Sequence, residues 1–426
     1  MLASFRIQNY KSVLDETISL DFREGKAPNG YKTMPLKPFL TDSCGNKRVP
    51  VLVLLGANAS GKSNLLEATK CFRRLLRQGI KDNFFPNKLN DKFNTTLFEI
   101  KFSCDKDMFS YLLEYNAERI LKEQLKREKE FLVKVEEGTL KYFEFTQKGY
   151  ELDDMARVLN VECIENGKQI KALVPQIRRK YPGLSATFSK LADALFKCSM
   201  NVLENDLPPT IGLDLLPKEA NKQQFITRLA HLIKQFDIDI NGFTVQKSIT
   251  NLNPETDIEE INKLRPSCAF RIKSPEGIKH ELAFIRAKVK NLKGEAIEFD
   301  FIRELSKGTQ RLFGLLGLIL TILDRGDVLF IDELDETLHP FIVQKILEMF
   351  KDPDYNVTGR AQLVCTVQNP LAMNGLRVSE IAFVQKTIKD GTKILPLADF
   401  EGIRNVTDFV KQYMEGRFSA VPSPYL

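Results

Sequence analysis

Eight residues, Gly56-Ala-Asn-Ala-Ser-Gly-Lys-Ser63, have the spacing G-x-x-x-x-G-K-S that lets a loop wrap phosphate oxygens. Glycines allow successive backbone N–H groups to converge on one point, and the N-terminus of a following helix adds the positive end of its dipole. In such a loop Lys62 reaches the outer phosphates and the Ser63 hydroxyl binds Mg²⁺, with Gly56, Asn58, Ala59, Ser60, Gly61 and Asn64 completing the cradle. A second stretch, Phe330-Ile-Asp-Glu333, ends an apolar run in two adjacent acids. Asp332 suits a water-mediated hold on Mg²⁺, and Glu333 suits orienting or deprotonating an attacking water. The pair therefore points to hydrolysis of a nucleotide, with ATP and Mg²⁺ as the implied ligands. A third stretch, Ser306-Lys-Gly-Thr-Gln-Arg311, opens an apolar helical run. Ser306 and the N–H groups around Gly308 would form another anion-binding helix end, although a plain serine N-cap has the same text.

The surrounding sequence supplies elements able to hold these groups. Val49–Leu55 is a continuous apolar run of the kind found in a strand buried on both faces. After the glycine-rich loop, Leu65, Leu66, Ala68, Cys71, Phe72, Leu75 and Leu76 recur at helical spacing over Lys62–Gln78. Strand, loop and helix is the context the phosphate motif requires. Alternation at Phe5, Ile7, Ile18, Leu20 and Phe22 predicts two opening strands, and Arg23–Arg48 reads as a loop. More strands are expected between Thr96 and Thr146, with a hairpin at Glu137-Gly138. From Tyr150 to Phe236 the pattern is helical and polar, including Gln176–Tyr181, Phe188–Leu203 and Gln223–Phe236. Strands return after Ile238, and Asp327–Glu333, Ala361–Val367 and Glu380–Gln385 are further buried ones. Tyr413–Leu426 looks like an extended tail. The expectation is an α/β fold whose ATPase lobes span 1–145 and 241–426, separated by a mostly helical insertion at 146–240.

Bulk properties narrow the class without naming it. Hydrophobic residues are 43% and charged residues 28% of the 426, ordinary for a soluble globular chain. The net charge of +6 permits an acidic or nucleic-acid partner without demanding one. Seven cysteines, with no C-x-x-C, argue against a disulfide framework or zinc site and for a reducing cytoplasm. The N-terminus lacks the apolar core of a signal peptide, and the apolar run Leu312–Leu323 is too short to span a bilayer. No membrane association is expected.

From Lys62 to Asp332 is 270 residues, so a long segment separates the two halves of the nucleotide site. In this the chain resembles the SMC and RecF relatives of the ABC ATPases. Phe5-Arg-Ile-Gln-Asn-Tyr-Lys-Ser12 is similar to the opening strand of that group, Ser306–Arg311 to its signature, and Asp335-Glu-Thr-Leu-His-Pro340 to its D-loop. More narrowly, GANASGKSN, LSKGTQRLFGLLGLIL, LFIDELDETLHP and the ending YMEGRFSAVPSPYL resemble the OLD-like ATPases of bacterial abortive-infection modules, the group that includes RloA, AbiL and AriA. The resemblance covers roughly the first 145 and last 185 residues.

That resemblance implies an ABC-type ATPase head in which Ser306 of one subunit closes over the ATP of another, giving a sandwich homodimer or larger homo-oligomer. It implies a role in anti-phage defence, sensing infection and controlling a separately encoded effector such as a TOPRIM-type nuclease. The TOPRIM domain of OLD proteins proper is not expected here, since the residues after Asp332 are largely used by closing strands. One departure stands out. The group has a histidine after the strand that follows the D-loop, whereas this chain has Cys365-Thr-Val-Gln-Asn-Pro370, and its histidines are His231, His280 and His339. Gln368 takes the place; an amide can contact a γ-phosphate or a water but cannot gain charge, so the consequence is either slow hydrolysis or a γ-phosphate sensor at Gln368. The competing function is a RecF-like DNA-repair or chromosome-maintenance ATPase that binds duplex DNA. The basic tract Lys70, Arg73, Arg74, Arg77, Lys81 could serve it, or could be a solvated helix face.

Overall fold

In the computed structural model the N-terminal alternation becomes two antiparallel strands, β1 (Leu2–Tyr10) and β2 (Val13–Ser19), with Phe5, Ile7 and Ile18 buried. The structure describes residues 1–21, 39–90, 93–145, 152–181, 186–198, 201–203, 222–236, 240–250, 260, 268–274, 277–290, 293–403 and 408–418. Two compact units result, Met1–Leu203 with Arg325–Leu426, and Glu204–Asp324. Of the expected loop Arg23–Arg48, residues 23–38 lie outside the described residues, and Leu40–Thr41 pairs with Lys47–Arg48.

The run VLVLL is strand β3 (Val51–Leu55), with all five side chains buried. Helix α1 (Lys62–Gln78) follows at the predicted bounds and lays Leu65, Leu66, Cys71, Phe72, Leu75 and Leu76 into the core. Its Phe72 ring lies 5.5 Å from Phe5 and 5.9 Å from Phe98, an aromatic cluster that seats the helix on the sheet. Five antiparallel strands make a meander: β4 (Thr96–Cys104), β5 (Asp107–Tyr115), β6 (Ile120–Arg127), β7 (Glu130–Glu136) and β8 (Thr139–Phe143). The last two turn at Glu137 (φ 50°) and Gly138 (φ 72°), the positive dihedrals of a two-residue hairpin.

Three helices come next, α2 (Leu152–Val158), α3 (Leu173–Lys180) and α4 (Ala186–Cys198), all in the first unit. The fully buried Glu123 of β6 anchors α3. Its carboxylate accepts the N–H groups of Leu173 (2.6 Å) and Val174 (2.8 Å), the Tyr111 hydroxyl (2.8 Å) and the Gln169 amide (3.1 Å). A carboxylate from the sheet thus satisfies orphan donors at a helix start, and deleting it would take this acceptor from the buried N–H groups of Leu173 and Val174 and from the Tyr111 hydroxyl, while the Gln169 amide keeps the Lys171 carbonyl. The helical reading of Phe188–Leu203 ends early. Asn201–Leu203 is a short strand, β9, pairing in parallel with an interior strand and covering its open edge.

The second unit contains α5 (Lys222–Lys234), β10 (Gly242–Thr250), β11 (Cys268–Ser274), β12 (Gly277–Lys290), β13 (Ala296–Asp300), α6 (Phe301–Glu304) and α7 (Lys307–Arg325), which runs to its boundary. The strands form one antiparallel sheet. Phe243 of β10 packs on Phe313 of α7 with centroids 4.5 Å apart, and Arg228 of α5 grips Asp324 at 2.9 and 3.1 Å.

The chain then adds β14 (Val328–Ile331), α8 (Pro340–Lys351), β15 (Gln362–Thr366), β16 (Ile381–Thr387), β17 (Gly391–Pro396) and α9 (Phe409–Met414) to the first unit. Among the described residues, thirteen strands make one mixed sheet in the order β8-β7-β6-β5-β4-β1-β2-β17-β16-β3-β15-β14-β9. The class is α/β, with β16, β3, β15, β14 and β9 parallel and the meander antiparallel. Of the expected tail Tyr413–Leu426, Tyr413 and Met414 belong instead to helix α9, Phe418 is buried against Phe383 at 5.0 Å, and 419–426 lie outside the described residues. Among the described residues no helix is long and apolar enough to cross a membrane.

One seam joins the two halves of this sheet. Between β2 and β17 one pair of residues, Val13 and Thr392, is in register. Beyond it a side chain carries on the ladder, as Glu16 Oε2 accepts the N–H of Ile394 at 3.2 Å. Burial pushes the Glu16 carboxyl up from 4.5 to about 7. Because its folded pKa lies above its unfolded one, its stabilising contribution is complete below about pH 4.5 and is lost as pH rises through about 7. The melting temperature of the wild-type chain is therefore expected to fall relative to that of Glu16→Gln between about pH 5 and 8. Parallel pH–melting curves for the two proteins would show that Glu16 is not the titrating group.

Candidate nucleotide site

The phosphate-loop text folds as the turn between β3 and α1. Gly61 sits at φ 101° and Ala59 at φ 62°, the latter unusual for a residue with a Cβ and typical of strained functional loops. Space demands both motif glycines, and at Gly61 the dihedral demands one as well. A Cβ on Gly56 would collide with the Val384 carbonyl, and one on Gly61 with the Thr392 hydroxyl. No side chain caps α1 and its first turn carries no acid, so among the described residues its N-terminal N–H groups keep their capacity for an anion. The Lys62 ammonium is buried and donates to the Gly56 (2.6 Å) and Ala57 (3.0 Å) carbonyls, lying along the loop it would serve. Ser60 Oγ is buried with no hydrogen-bond partner among the described residues, while Asn58, Ala59 and Ser63 are exposed.

The acidic text lies two strands away, at the end of β14, with β15 between it and β3. The strand stops at Ile331, and Glu333 sits outside it in the left-handed region at φ 49°. A single hydroxyl fixes both acids. Thr366, the last residue of β15, donates to Asp332 Oδ1 (2.5 Å) and accepts the backbone N–H of Glu333 (2.7 Å). Asp335 Oδ2 in turn accepts the N–H groups of Gln368 (2.8 Å) and Asn369 (2.6 Å), and the Gln368 side-chain amide donates to Glu333 Oε1 at 3.0 Å. Burial lowers the pKa of Lys62, and the carboxylates of Asp332, Glu333 and Asp335 pull it back up, which places all three within electrostatic reach of the ammonium. The fold thus gathers the loop, Lys62, Asp332, Glu333 and Gln368 at one end of parallel strands. This uncapped helix start, tight glycine cradle and orphan hydroxyl fit a phosphate group, and Ser63 with Asp332 supplies oxygen donors suited to Mg²⁺.

Three residues with no site role legible in the sequence, Ser12, Thr392 and Thr366, brace the site, the first two at the phosphate loop and Thr366 at the acids. Asn64 of α1 donates to Ser12 Oγ at 2.6 Å, Ser12 Oγ lies 2.7 Å from Thr392 Oγ1, and that hydroxyl donates to the Ser60 carbonyl at 3.1 Å. The hairpin that delivers Thr392 had a legible signal in Asp390-Gly391, where Gly391 has φ 68° and a Cβ would strike the Ser12 carbonyl at 2.6 Å. Beside Ser12 and Asn64 runs a groove of about 780 Å³ lined by Lys11, Phe85, Leu89 and Ile388 among others.

The remaining sequence candidates belong to other elements. Ser306 and Gly308 belong to the second unit, where the Ser306 hydroxyl accepts the Thr309 N–H at 3.2 Å as an N-cap of α7. His339 caps α8, its Nδ1 accepting the Phe341 N–H at 3.3 Å. In the basic tract Arg73 is half-buried with Asp327 near it, and Arg74 is half-buried near Tyr10 and Cys71, so the five cations do not form one solvated row.

A protein family described as "AAA domain, putative AbiEii toxin, Type IV TA system" matches residues 212–374, less than half of the chain but including Ser306, Asp332, Glu333 and Gln368. No curated protein matches the sequence. Among solved structures, an SMC head bound to the C-terminal winged-helix domain of ScpA is similar at 12% identity, covering 92% of this chain and 96% of that one, with a TM-score of 0.44. The SMC head domain from Thermotoga maritima is similar at 11% identity, covering 93% and 98%, with a TM-score of 0.42.

Proposed function

We propose that the protein is an ATP-binding and hydrolysing subunit of an anti-phage abortive-infection system. In this reading it works as a homodimer or larger homo-oligomer and controls a separately encoded toxic effector, a nuclease of TOPRIM or other type. The observation that carries the ATPase part is the convergence of Lys62, at the start of the helix that follows β3, with Asp332 and Glu333, just past the end of β14, on one end of the parallel strands β3, β15 and β14. Support for the defence part is the toxin–antitoxin description of the family that matches 212–374, together with the OLD-like text at both ends of the chain.

In mechanism, the loop Gly56–Ser63 and the start of α1 bind and orient the phosphates, with Lys62 exchanging its loop carbonyls for phosphate oxygens. Mg²⁺, held by Ser63 and Asp332, would neutralise charge on the outer phosphates. Glu333 takes a proton from water as the water oxygen bonds to the terminal phosphorus and the bond to the ADP oxygen breaks. Thr366 keeps Asp332 and the Glu333 backbone in place during this exchange. The groove beside Ser12 and Asn64, with Phe85 in its wall, would offer a nucleoside an apolar surface. Ser306 and Gly308 act in trans, on the nucleotide of another copy, and the segment 146–240 serves dimerisation or recognition.

The test is phage plating of cells expressing the chain with its neighbouring genes, alongside ATP turnover by the purified protein. Protection is expected, and is expected to vanish with Lys62→Ala. Turnover without protection, and without a nuclease or toxin gene beside it, would sink the defence role while leaving the ATPase standing.

A further inference from the structure

We infer that the cavity between the end of β4, helix α4 and the residues leading into β14 and β15 is a second anion site, shaped for a phosphate monoester. Every residue lining it belongs to the first unit. It stands apart from the nucleotide site. Arg325 and Gly326 come just before β14 and Arg360 just before β15, whereas Asp332 and Thr366 mark the opposite ends of those strands. The cavity has a volume of about 400 Å³, enough for a mononucleotide-sized ligand. Its wall carries more positive than negative charge. Two acids line it and both have cation partners, Asp105 with Lys190 at 3.4 Å and Asp193 with Arg178 at 3.1 Å. Three further cations line it, Lys197, Arg325 and Arg360. The acid near Lys197 and Arg325 is Asp327, whose carboxyl burial pushes up, weakening it as a counter-charge.

Two groups in this wall have donors to spare. The exposed Arg360 side chain has no ion-pair or hydrogen-bond partner among the described residues, and a guanidinium presents paired N–H groups that match phosphate oxygens. Ser103 is the second, and it is only 3% exposed. Its N–H donates to the Met1 carbonyl at 2.8 Å and its carbonyl accepts from the Met1 nitrogen at 3.1 Å, so the backbone is fully used. Its buried hydroxyl has no partner among the described residues. A buried hydroxyl left unpaired costs stability, and a ligand oxygen would recover that cost. An apolar ligand would leave both the hydroxyl and the cations unsatisfied. A phosphate monoester brings close to two negative charges and three terminal oxygens, which suits several cations and a hydroxyl better than a single carboxylate does.

The experiment uses the full chain carrying Lys62→Ala, which takes the cation out of the phosphate loop, so that binding elsewhere is what calorimetry reads. The probes are a nucleoside monophosphate and a short single-stranded oligonucleotide with or without a 5′-phosphate. Saturable binding of the monophosphate with a Kd below about 1 mM is expected. Adding Arg360→Gln is expected to weaken it by about tenfold or more, and adding Ser103→Ala by about threefold to tenfold. The ligand-free melting temperature of the Ser103→Ala protein should equal or exceed that of its parent, since it loses an unpaired hydroxyl. Tighter binding of the monophosphate would make a small molecule the source of the phosphate, and tighter binding of the 5′-phosphorylated strand would make it a nucleic-acid end; both keep the site. Binding that neither substitution weakens would be diffuse attraction to surface cations and would overturn the inference. So would equal binding of the strands with and without the 5′-phosphate, or no binding of any probe up to about 10 mM. A lower ligand-free melting temperature in Ser103→Ala would give the hydroxyl an internal role and overturn its assignment to a ligand.

Discussion

Lys62→Ala is expected to weaken ATP binding by at least about 100-fold, as measured by titration calorimetry with Mg²⁺ present. The ammonium is the one cation of the loop motif and would make charge-assisted hydrogen bonds to phosphate oxygens, each about 1.5–3 kcal/mol, so losing about 2.7 kcal/mol corresponds to that factor. Its burial strengthens the argument. Lys62 is 8% exposed and sits against two loop carbonyls, so binding replaces hydrogen bonds already desolvated and costs little ordering of a free side chain. The same carbonyls provide the control. Gly56 and Ala57 lose a donor in Lys62→Ala, so loosening of the loop would register as a lower melting temperature without nucleotide. A melting temperature close to wild type with lost binding locates the effect at the phosphate. Retained affinity would remove Lys62, and with it the phosphate-loop assignment.

Glu333→Gln is expected to bind ATP with near wild-type affinity and to slow turnover by about 100-fold to 1000-fold, the usual worth of a positioned general base. Nothing in the backbone should move, because Thr366 holds Glu333 through its N–H and the left-handed turn at φ 49° is set by the main chain. With hydrolysis stalled, a dimer that closes over ATP should persist, visible as a doubled mass by sedimentation in ATP and not in ADP. Combining it with Ser306→Arg, which crowds the helix end proposed to cover the partner's nucleotide, should return the protein to a monomer that still binds ATP. Equal turnover by wild type and Glu333→Gln would take the base role away from Glu333. A monomer in every condition would leave the ATPase chemistry intact and remove the sandwich.

The legible parts of this protein are those in which local sequence and local structure coincide. The phosphate loop and its helix could be read to the residue at Lys62 and Gln78, because a buried strand, two glycines and a helical stripe are all short-range signals. The acidic strand was equally plain from VLFIDE. The short strand Asn201–Leu203 was read as helix, since a three-residue edge strand carries almost no period and exists because β14 offers it an edge. The hairpin Ile381–Pro396 was half seen: its second strand has the weak text TKILP, and its place beside β2 depends on one backbone pair and the Glu16 carboxylate.

What the sequence determined by itself is the chemistry available: a glycine cradle, a lysine, a hydroxyl and two acids, each in an element that local periodicity specifies. The tertiary structure decided which distant groups control them. Thr366 lies 33 residues from Glu333, Thr392 332 residues from Ser60, and Gln368 35 residues from Glu333, yet each pair shares a hydrogen bond. Parallel strands end side by side whatever their separation along the chain, so the sheet brings these residues together through β3, β15, β14 and β17. Their side chains are small polar ones with no periodic signature, and their roles arise from the register of strands that only the folded sheet defines.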